Sequence, residues 1–166
     1  MIAAIQSLWA WFTSTIAGKV LISCFVSMLP VVELRGGIPI AVGFGLAPRL
    51  AIPICIIGNC IPIIPILILF QRVLRWMRHR GGVVGRFALW LERHCTKHRG
   101  FLDRYAGVAL FVLTAVPLPG TGAWTASMLA ALAGVRIRNA APAITLGVLA
   151  AGAIVSVVSY GVASLF

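Results

Sequence analysis

Charged residues, and acidic ones above all, are scarce in this chain of 166 residues. Only 10% of the residues are charged and three are acidic, while 61% are hydrophobic. A soluble domain carries about 25% charged residues, so the composition excludes an ordinary soluble enzyme or binding module. It predicts an all-α integral membrane protein, and the length fits a single membrane domain over residues 1–166 with a few crossing segments.

Patterns of metal ligands and paired cysteines are also missing. No two cysteines form a CxxC pair, and His94 and His98, with Cys95 between them, have no fourth ligand in sequence reach. We therefore expect free, mostly buried thiols, no metal site, no cofactor and no catalytic residue. The cysteines are Cys24, Cys55, Cys60 and Cys95.

The start of the chain lacks a positive n-region and a cleavage site, which argues against a removed signal peptide. Trp9, Trp11 and Phe12 are of the type that settles at lipid headgroups. We expect residues 1–18 to form a retained helix at the membrane interface.

Basic residues give a net charge of +11, but they are concentrated in one loop, residues 71–104. A basic loop between hydrophobic segments is typical of the cytoplasmic side, so we predict a multi-pass protein of the cell inner membrane with this loop inside. Its expected partners are anionic lipid headgroups, not nucleic acid, and Phe87–His94 has the pattern of an amphipathic surface helix. Nine of the fourteen basic residues lie here: Arg72, Arg75, Arg78, Arg80, Arg86, Arg93, Lys97, Arg99 and Arg104.

Hydrophobic runs on either side of this loop follow one pattern. Lys19–Val32 and Ile38–Ala47 are too short to cross a bilayer and flank a polar turn, which predicts a re-entrant helical hairpin. Leu50–Phe70 is long enough to cross despite three prolines. Residues 19–70 thus form a first predicted repeat.

The second repeat, residues 105–166, has the same order. Gly107–Val116 and Ala123–Gly134 flank a break at Pro117–Gly122, and Ala140–Phe166 can cross. With the basic loop inside, the two hairpins enter from opposite leaflets, so we predict an inverted repeat whose broken tips meet near the midplane.

Two sequence offsets relate the halves, although chance matches are an alternative in so apolar a chain. An offset of 84 places Val32, Leu34 and Gly36 over Val116, Leu118 and Gly120. An offset of 89 places Arg49, Pro53 and Gly58 over Arg138, Pro142 and Gly147.

The first break, PVVELRGGIP, contains the predicted binding residues. A carboxylate is costly in hydrocarbon and burial favours its protonated form, so we expect Glu33 to bind and release a proton. Arg35 could bind a carboxylate or phosphate, and Gly36 and Gly37 would allow a tight turn and close approach of a ligand. Pro39 would lie in the first turn of the next helix. A structural Glu33–Arg35 ion pair is the alternative.

The second break, PLPGTG, has no charge. Its predicted site residues are Pro117, Pro119, Gly120, Thr121 and Gly122. Thr121 is expected to cap the helix that begins near Ala123, and helix N-termini favour anions. The alternative is that the prolines merely kink a helix.

At these breaks the stretches ELRGGIP and VPLPGTGAW resemble the small multidrug export protein family. More distantly, FLDRYAGVALFVLTAVPLPGTGAW is similar to the DedA, or VTT-domain, superfamily, and together the resemblances cover about residues 30–161. They imply paired re-entrant hairpins and lipid transport or scrambling, with Glu33 and Arg35 as the acidic and basic site residues. DedA proteins are tied to undecaprenyl phosphate recycling and drug tolerance. Their second-break arginines are missing here, with Thr114 and Gly122 near those places.

Three functions are open on these grounds. The first is a DedA-like carrier or scramblase of an anionic, phosphate-bearing lipid or small molecule, with proton coupling. The second is a proton-coupled exporter of hydrophobic cationic drugs. The third, a membrane-embedded lipid phosphatase, is disfavoured because the membrane segments offer one carboxylate and no histidine, so we do not expect an enzyme. A homodimer would help to cover the irregular backbone.

Overall fold

All secondary structure in the described chain is helical, in agreement with the predicted fold class. The computed structural model describes residues 13–79, 82, 85–86, 89–90, 99–118 and 120–164. The helices that position the site are, in chain order, α1 (Ile16–Met28), α2 (Glu33–Gly43), α3 (Pro48–Cys60), α4 (Ile63–His79), α5 (Arg99–Ala115), α6 (Ala123–Leu132) and α7 (Ile137–Ala163). The predicted interfacial helix over residues 1–18 lies mostly outside the described residues, as does the amphipathic helix Phe87–His94.

Two helical stretches are long and apolar enough to cross a membrane, Pro48–Met77 and Ile137–Ala163. They coincide with the predicted spans, and the first comprises α3 and most of α4 with Ile61 and Pro62 between them. Helices α1, α2 and α6 are shorter than the roughly 20 residues that a full crossing needs. The predicted sequence of short helix, break, short helix and span is therefore found twice, while entry of the hairpins into a bilayer stays a prediction.

The chain divides into two compact units that exchange parts of the spans. Unit 1 contains residues up to Ile61 together with those from Val148 onward. Unit 2 contains Pro62–Gly147. Each unit thus combines a helical hairpin from one half of the chain with the far part of the span from the other half. The predicted layout of one membrane domain with two consecutive repeats stays a prediction.

In unit 1, helix α1 packs against both α2 and α3 through glycines. A methyl group on Gly37 would collide with the Ser27 Oγ, and one on Gly58 would lie 2.5 Å from the Cys24 carbonyl oxygen. The glycines therefore let the backbones approach more closely than any larger residue would, as in packed membrane helices.

The distal part of α7 lies beside α3 in unit 1 and runs in the opposite direction. The Tyr160 hydroxyl donates a hydrogen bond of 2.9 Å to the Leu46 carbonyl, just before α3 begins. Further back along α7, a methyl group on Gly152 would lie 3.1 Å from the side chain of Ile56, which is more than two turns into α3. Two halves of the predicted spans are therefore antiparallel within this unit.

Unit 2 is built from the same kinds of contact. Helix α6 packs against α4 and α5. A methyl group on Gly147 would lie 2.8 Å from the Phe111 carbonyl oxygen, and the Gln71 side-chain amide donates a hydrogen bond of 3.4 Å to the Val135 carbonyl. The proximal part of α7 is thus held to α5 by close packing.

Helices α2 and α6 end in the same way, 89 residues apart. In both, a glycine with positive φ follows the helix and a backbone hydrogen bond spans five residues, which is the Schellman arrangement. In α2 these are Gly45 (φ 71°) and Leu46 N–H to Ala41 O (3.0 Å). In α6 they are Gly134 (φ 68°) and Val135 N–H to Ala130 O (3.0 Å).

The exchanged contacts recur at the same spacing. Tyr160 follows Gln71 by 89 residues, and Val135 follows Leu46 by 89, so the two side-chain hydrogen bonds are reciprocal. Buried positions of α3 and α7 also correspond: Ala51 and Ala140, Cys55 and Ile144, Gly58 and Gly147.

The offset of 84 is wrong for the residues that follow the first break. Helix α2 begins at Glu33 and α6 at Ala123, so the two starts are 90 residues apart, close to the offset of 89 and not to 84. Leu34 corresponds to Ala123, which is also buried, and not to Leu118, which is 56% exposed. The physical reason is that the second break is longer than the first.

Candidate functional site

Glu33 is the first residue of α2, directly after the break between α1 and α2. Its side chain is 6% exposed, and its backbone φ of 48° lies in the left-handed region that L-residues with a side chain avoid. Such a conformation costs on the order of 1–3 kcal/mol and is concentrated at functional sites. The carboxyl group is therefore buried at a position where the backbone is strained.

The charge at this helix start is self-compensating. The positive end of a helix dipole stabilises a nearby carboxylate, and Glu33 lies in the first turn of α2. Arg35, two residues after Glu33 in the same helix, is only half-buried. The Glu33 carboxyl group thus already lies at the positive end of α2.

Pro39 does not begin the second helix of the hairpin, so its predicted place in the first turn is wrong. Because α2 begins at Glu33, Pro39 lies in the helix interior. A proline there has no amide hydrogen, so the Arg35 carbonyl has no amide donor four residues on. The sequence suggested a later start because five of the first seven residues of the helix are glycine, proline or charged.

Gly36 and Gly37 are helical and do not form the turn that was predicted for them. The turn is made by Leu29–Val32. Gly37 instead lets α2 contact Ser27 of α1, and a methyl group on Gly36 would collide with the Val32 side chain. Because these two glycines have no side chain, α2 can pack closely against the residues before the break.

The second break is exposed at its tip. Pro117, Leu118 and Gly120 are exposed, while Gly122, with φ 146°, is buried where α6 begins. Pro119 lies outside the described residues. The break therefore turns through glycines at positive φ, and no charged side chain belongs to its described residues.

Thr121 does not cap α6, which corrects the prediction. The residue before the helix is Gly122, and no side chain caps the first amides. The Thr121 hydroxyl lies near two carbonyl oxygens of its own turn, those of Val116 (3.0 Å) and Leu118 (2.9 Å). The Thr125 hydroxyl donates to Gly120 O (2.9 Å), so hydroxyl groups hold the turn together.

Several buried polar residues were missed by the sequence interpretation. Ser23, Ser27 and Thr114 each donate their hydroxyl to the carbonyl four residues earlier in their own helix. Asn59 is 2% exposed, and its side-chain oxygen has no hydrogen-bond partner. The available signal was an amide in the otherwise apolar run of residues 50–70.

An apolar cavity of about 260 Å³ lies in unit 2 between α5 and α6. Its walls include Ala106, Leu110, Leu113, Leu129 and Val135. Cavities with such walls suit the hydrocarbon part of a ligand.

Comparison with known proteins identifies the family. The model of the family described as "Putative small multi-drug export protein" matches residues 33–154. The chain belongs to this family. No curated protein and no solved structure matches it, so the resemblance to the DedA superfamily stays a prediction.

The family match begins at Glu33, directly after the first break, and ends at Ile154, so it includes the second break and most of the two spans. The family description and the apolar helices together indicate a membrane protein. In this member of the family, the buried carboxyl group of Glu33 is the candidate site in unit 1.

Proposed function

We propose that the chain is a proton-coupled exporter of hydrophobic cationic compounds. The observation that carries this proposal is the buried, strained Glu33 at the start of α2. A carboxyl group in a low-dielectric site can hold either a proton or an organic cation, but binding of one displaces the other. Such exchange at one group couples export of the cation to uptake of a proton.

The sign of the charge supports a cationic substrate. Glu33 is buried in unit 1, whereas Arg35 is half-buried, and the carboxylate already occupies the positive end of α2.

The recurring contacts support an inverted duplication. Both hairpins end in the same hydrogen-bonded turn, and the two spans run antiparallel in unit 1. Transporters built from inverted repeats place their substrate near the bilayer midplane and expose it alternately to either side. We propose that the hairpins re-enter the membrane and that the site is alternately accessible in this way.

An anionic, phosphate-bearing lipid or metabolite is the second candidate substrate. Helix α6 begins with no side-chain cap, so its first amides can donate to an anion, and Arg35 could add a positive charge. A carrier of this kind is the DedA-like hypothesis.

Reconstitution into liposomes with a pH gradient distinguishes the two candidates. We expect Glu33→Gln to abolish gradient-driven uptake of a cationic dye, while Arg35→Gln retains most of it. Glu92→Gln, in the basic loop, is the matched control because it removes the other glutamate of the chain. Loss of transport in the Arg35 variant alone, with movement of a labelled phospholipid, would instead support the anion carrier.

The setting of this activity is also proposed. We infer a location in the inner membrane with residues 71–104 on the cytoplasmic side, where their positive charge would meet anionic lipid. We further propose that the protein acts as a homodimer and as a transporter, not as an enzyme. Chemical crosslinking in lipid nanodiscs tests the dimer.

A further inference from the structure

Asn59 combines near-complete burial with an unmet hydrogen bond. Its side chain is 2% exposed, and its Oδ1 has no hydrogen-bond partner in the described part of the chain. Buried polar atoms nearly always have a partner, and a missing one calls for a ligand, a water molecule or a functional reason. The amide oxygen can only accept, so the missing partner is a donor.

Further acceptors lie next to Asn59 along the chain. Pro62 and Pro65 have no amide hydrogen, so the carbonyl groups of Gly58 and Ile61 have no amide donor four residues on. Two backbone carbonyl groups without such a donor therefore flank Asn59 in the sequence. Interrupted membrane helices use such freed carbonyls to bind cations.

Glu33 and Asn59 lie at the same end of unit 1. The side chains of Leu34 and Ile56 converge on Gly152, at 3.7 and 3.1 Å from the position of its missing methyl group. Glu33 is the residue before Leu34 in α2. Asn59 is three residues after Ile56 in α3, which is about 4.5 Å along the helix axis. A carboxyl group and an unmet acceptor thus share one level of the unit.

The buried hydroxyl groups of this level offer no donor to Asn59, because Ser23 and Ser27 donate to backbone carbonyls. A ligand with a positive charge and an N–H group would offer its hydrogen to the Asn59 acceptor and its charge to the Glu33 carboxyl group. We propose that Asn59 Oδ1 accepts a hydrogen bond from the protonated amine of a substrate whose charge is balanced by Glu33. This inference rests on the proposed export of cations and adds which cations are preferred.

The second half of the chain provides a natural variant for the test. The position 89 residues after Asn59 is Val148, which is fully buried, and the position 89 residues after Pro62 is Ala151. The corresponding position thus holds a buried valine, and Asn59→Val removes the amide acceptor. Asn59→Asp keeps an acceptor oxygen at the same place.

Two probe cations separate the hydrogen bond from the charge. The first is naphthylmethyl-dimethylammonium, which has one N–H group at neutral pH, and the second is its trimethyl analogue, which has none. Binding of both is measured by fluorescence to the full-length protein in lipid nanodiscs. Chromatography and thermal unfolding check that each variant is folded.

We expect Asn59→Val to weaken binding of the dimethyl cation by about 10- to 100-fold, the usual worth of a hydrogen bond to a charged group. Binding of the trimethyl cation should change less than 3-fold, and Asn59→Asp should retain the preference for the N–H cation. Equal effects of Asn59→Val on both cations, or no effect on either, would overturn the role of Asn59 while leaving cation export intact. Failure of the wild-type protein to bind either cation would refute the proposed function, and with it this inference.

Discussion

Replacement of Gly58 by alanine tests whether the close contact between α1 and α3 is as tight as the structure has it. The added methyl group would lie 2.5 Å from the Cys24 carbonyl oxygen and 3.1 Å from its Sγ. The nearest atom is backbone and cannot rotate away, and side-chain carbons do not approach atoms closer than 3.0 Å. The two helices would therefore have to separate by about 0.5 Å, which costs on the order of 1–3 kcal/mol for an overpacked contact.

The matched control is Gly161→Ala in α7. No atom lies within 4 Å of its added methyl group, so only the helix propensity changes, and alanine stabilises a helix by about 0.5–1 kcal/mol over glycine. Because Gly58→Ala gains the same propensity, the difference between the two variants isolates the packing cost. That difference should be about 1–3 kcal/mol, with Gly58→Ala the less stable.

Thermal unfolding in detergent micelles measures this difference. For a chain of this length 1 kcal/mol shifts the midpoint by about 2–4 °C, so we expect Gly58→Ala to melt about 2–12 °C below Gly161→Ala. Equal midpoints would mean that α1 and α3 do not approach each other through Gly58, and the packing described for unit 1 would be wrong.

Two further predictions concern the exchanged helices and the basic loop. Tyr160→Phe removes the hydroxyl group that donates to the Leu46 carbonyl. We expect it to lower the free energy of unfolding by about 0.5–1.5 kcal/mol. An unchanged unfolding curve would mean that the end of α7 does not contact Leu46. Arg86→Cys, in a background without the native cysteines, should react with a membrane-impermeant maleimide only from the cytoplasmic side, and labelling of intact cells from outside would reverse the predicted topology.

Hydropathy predicted the helical architecture well because length and apolar character alone decide whether a helix can cross a membrane. The predicted spans overlap the two long apolar helices observed, Pro48–Met77 and Ile137–Ala163. Local chemistry was less informative at the breaks. Gly36, Gly37 and Pro39 suggested a turn, but the tertiary contact of Gly37 with Ser27 keeps them in a helix, and propensity is weak against packing.

The importance of Asn59 could not be predicted from its type. An amide in an apolar run signals a hydrogen bond, yet only the packed structure tells whether that bond is made. Glu33 was easier to recognise because a carboxylate in a membrane segment is costly wherever it faces. The backbone φ of Glu33 and its place in the first turn of α2 depend on the turn at Leu29–Val32. No pattern in the sequence predicted a turn at those residues.

The exchange of span segments between the units has a consequence for biosynthesis. Unit 1 takes its last helical segment from residues after Val148, so its hairpin cannot be fully packed while the ribosome is still adding the middle of the chain. Contacts between residues so distant in sequence form late, and the nascent hairpin must wait in the translocation machinery or in lipid for its partner. Truncation in α7 would accordingly damage the first hairpin, although the two are more than a hundred residues apart.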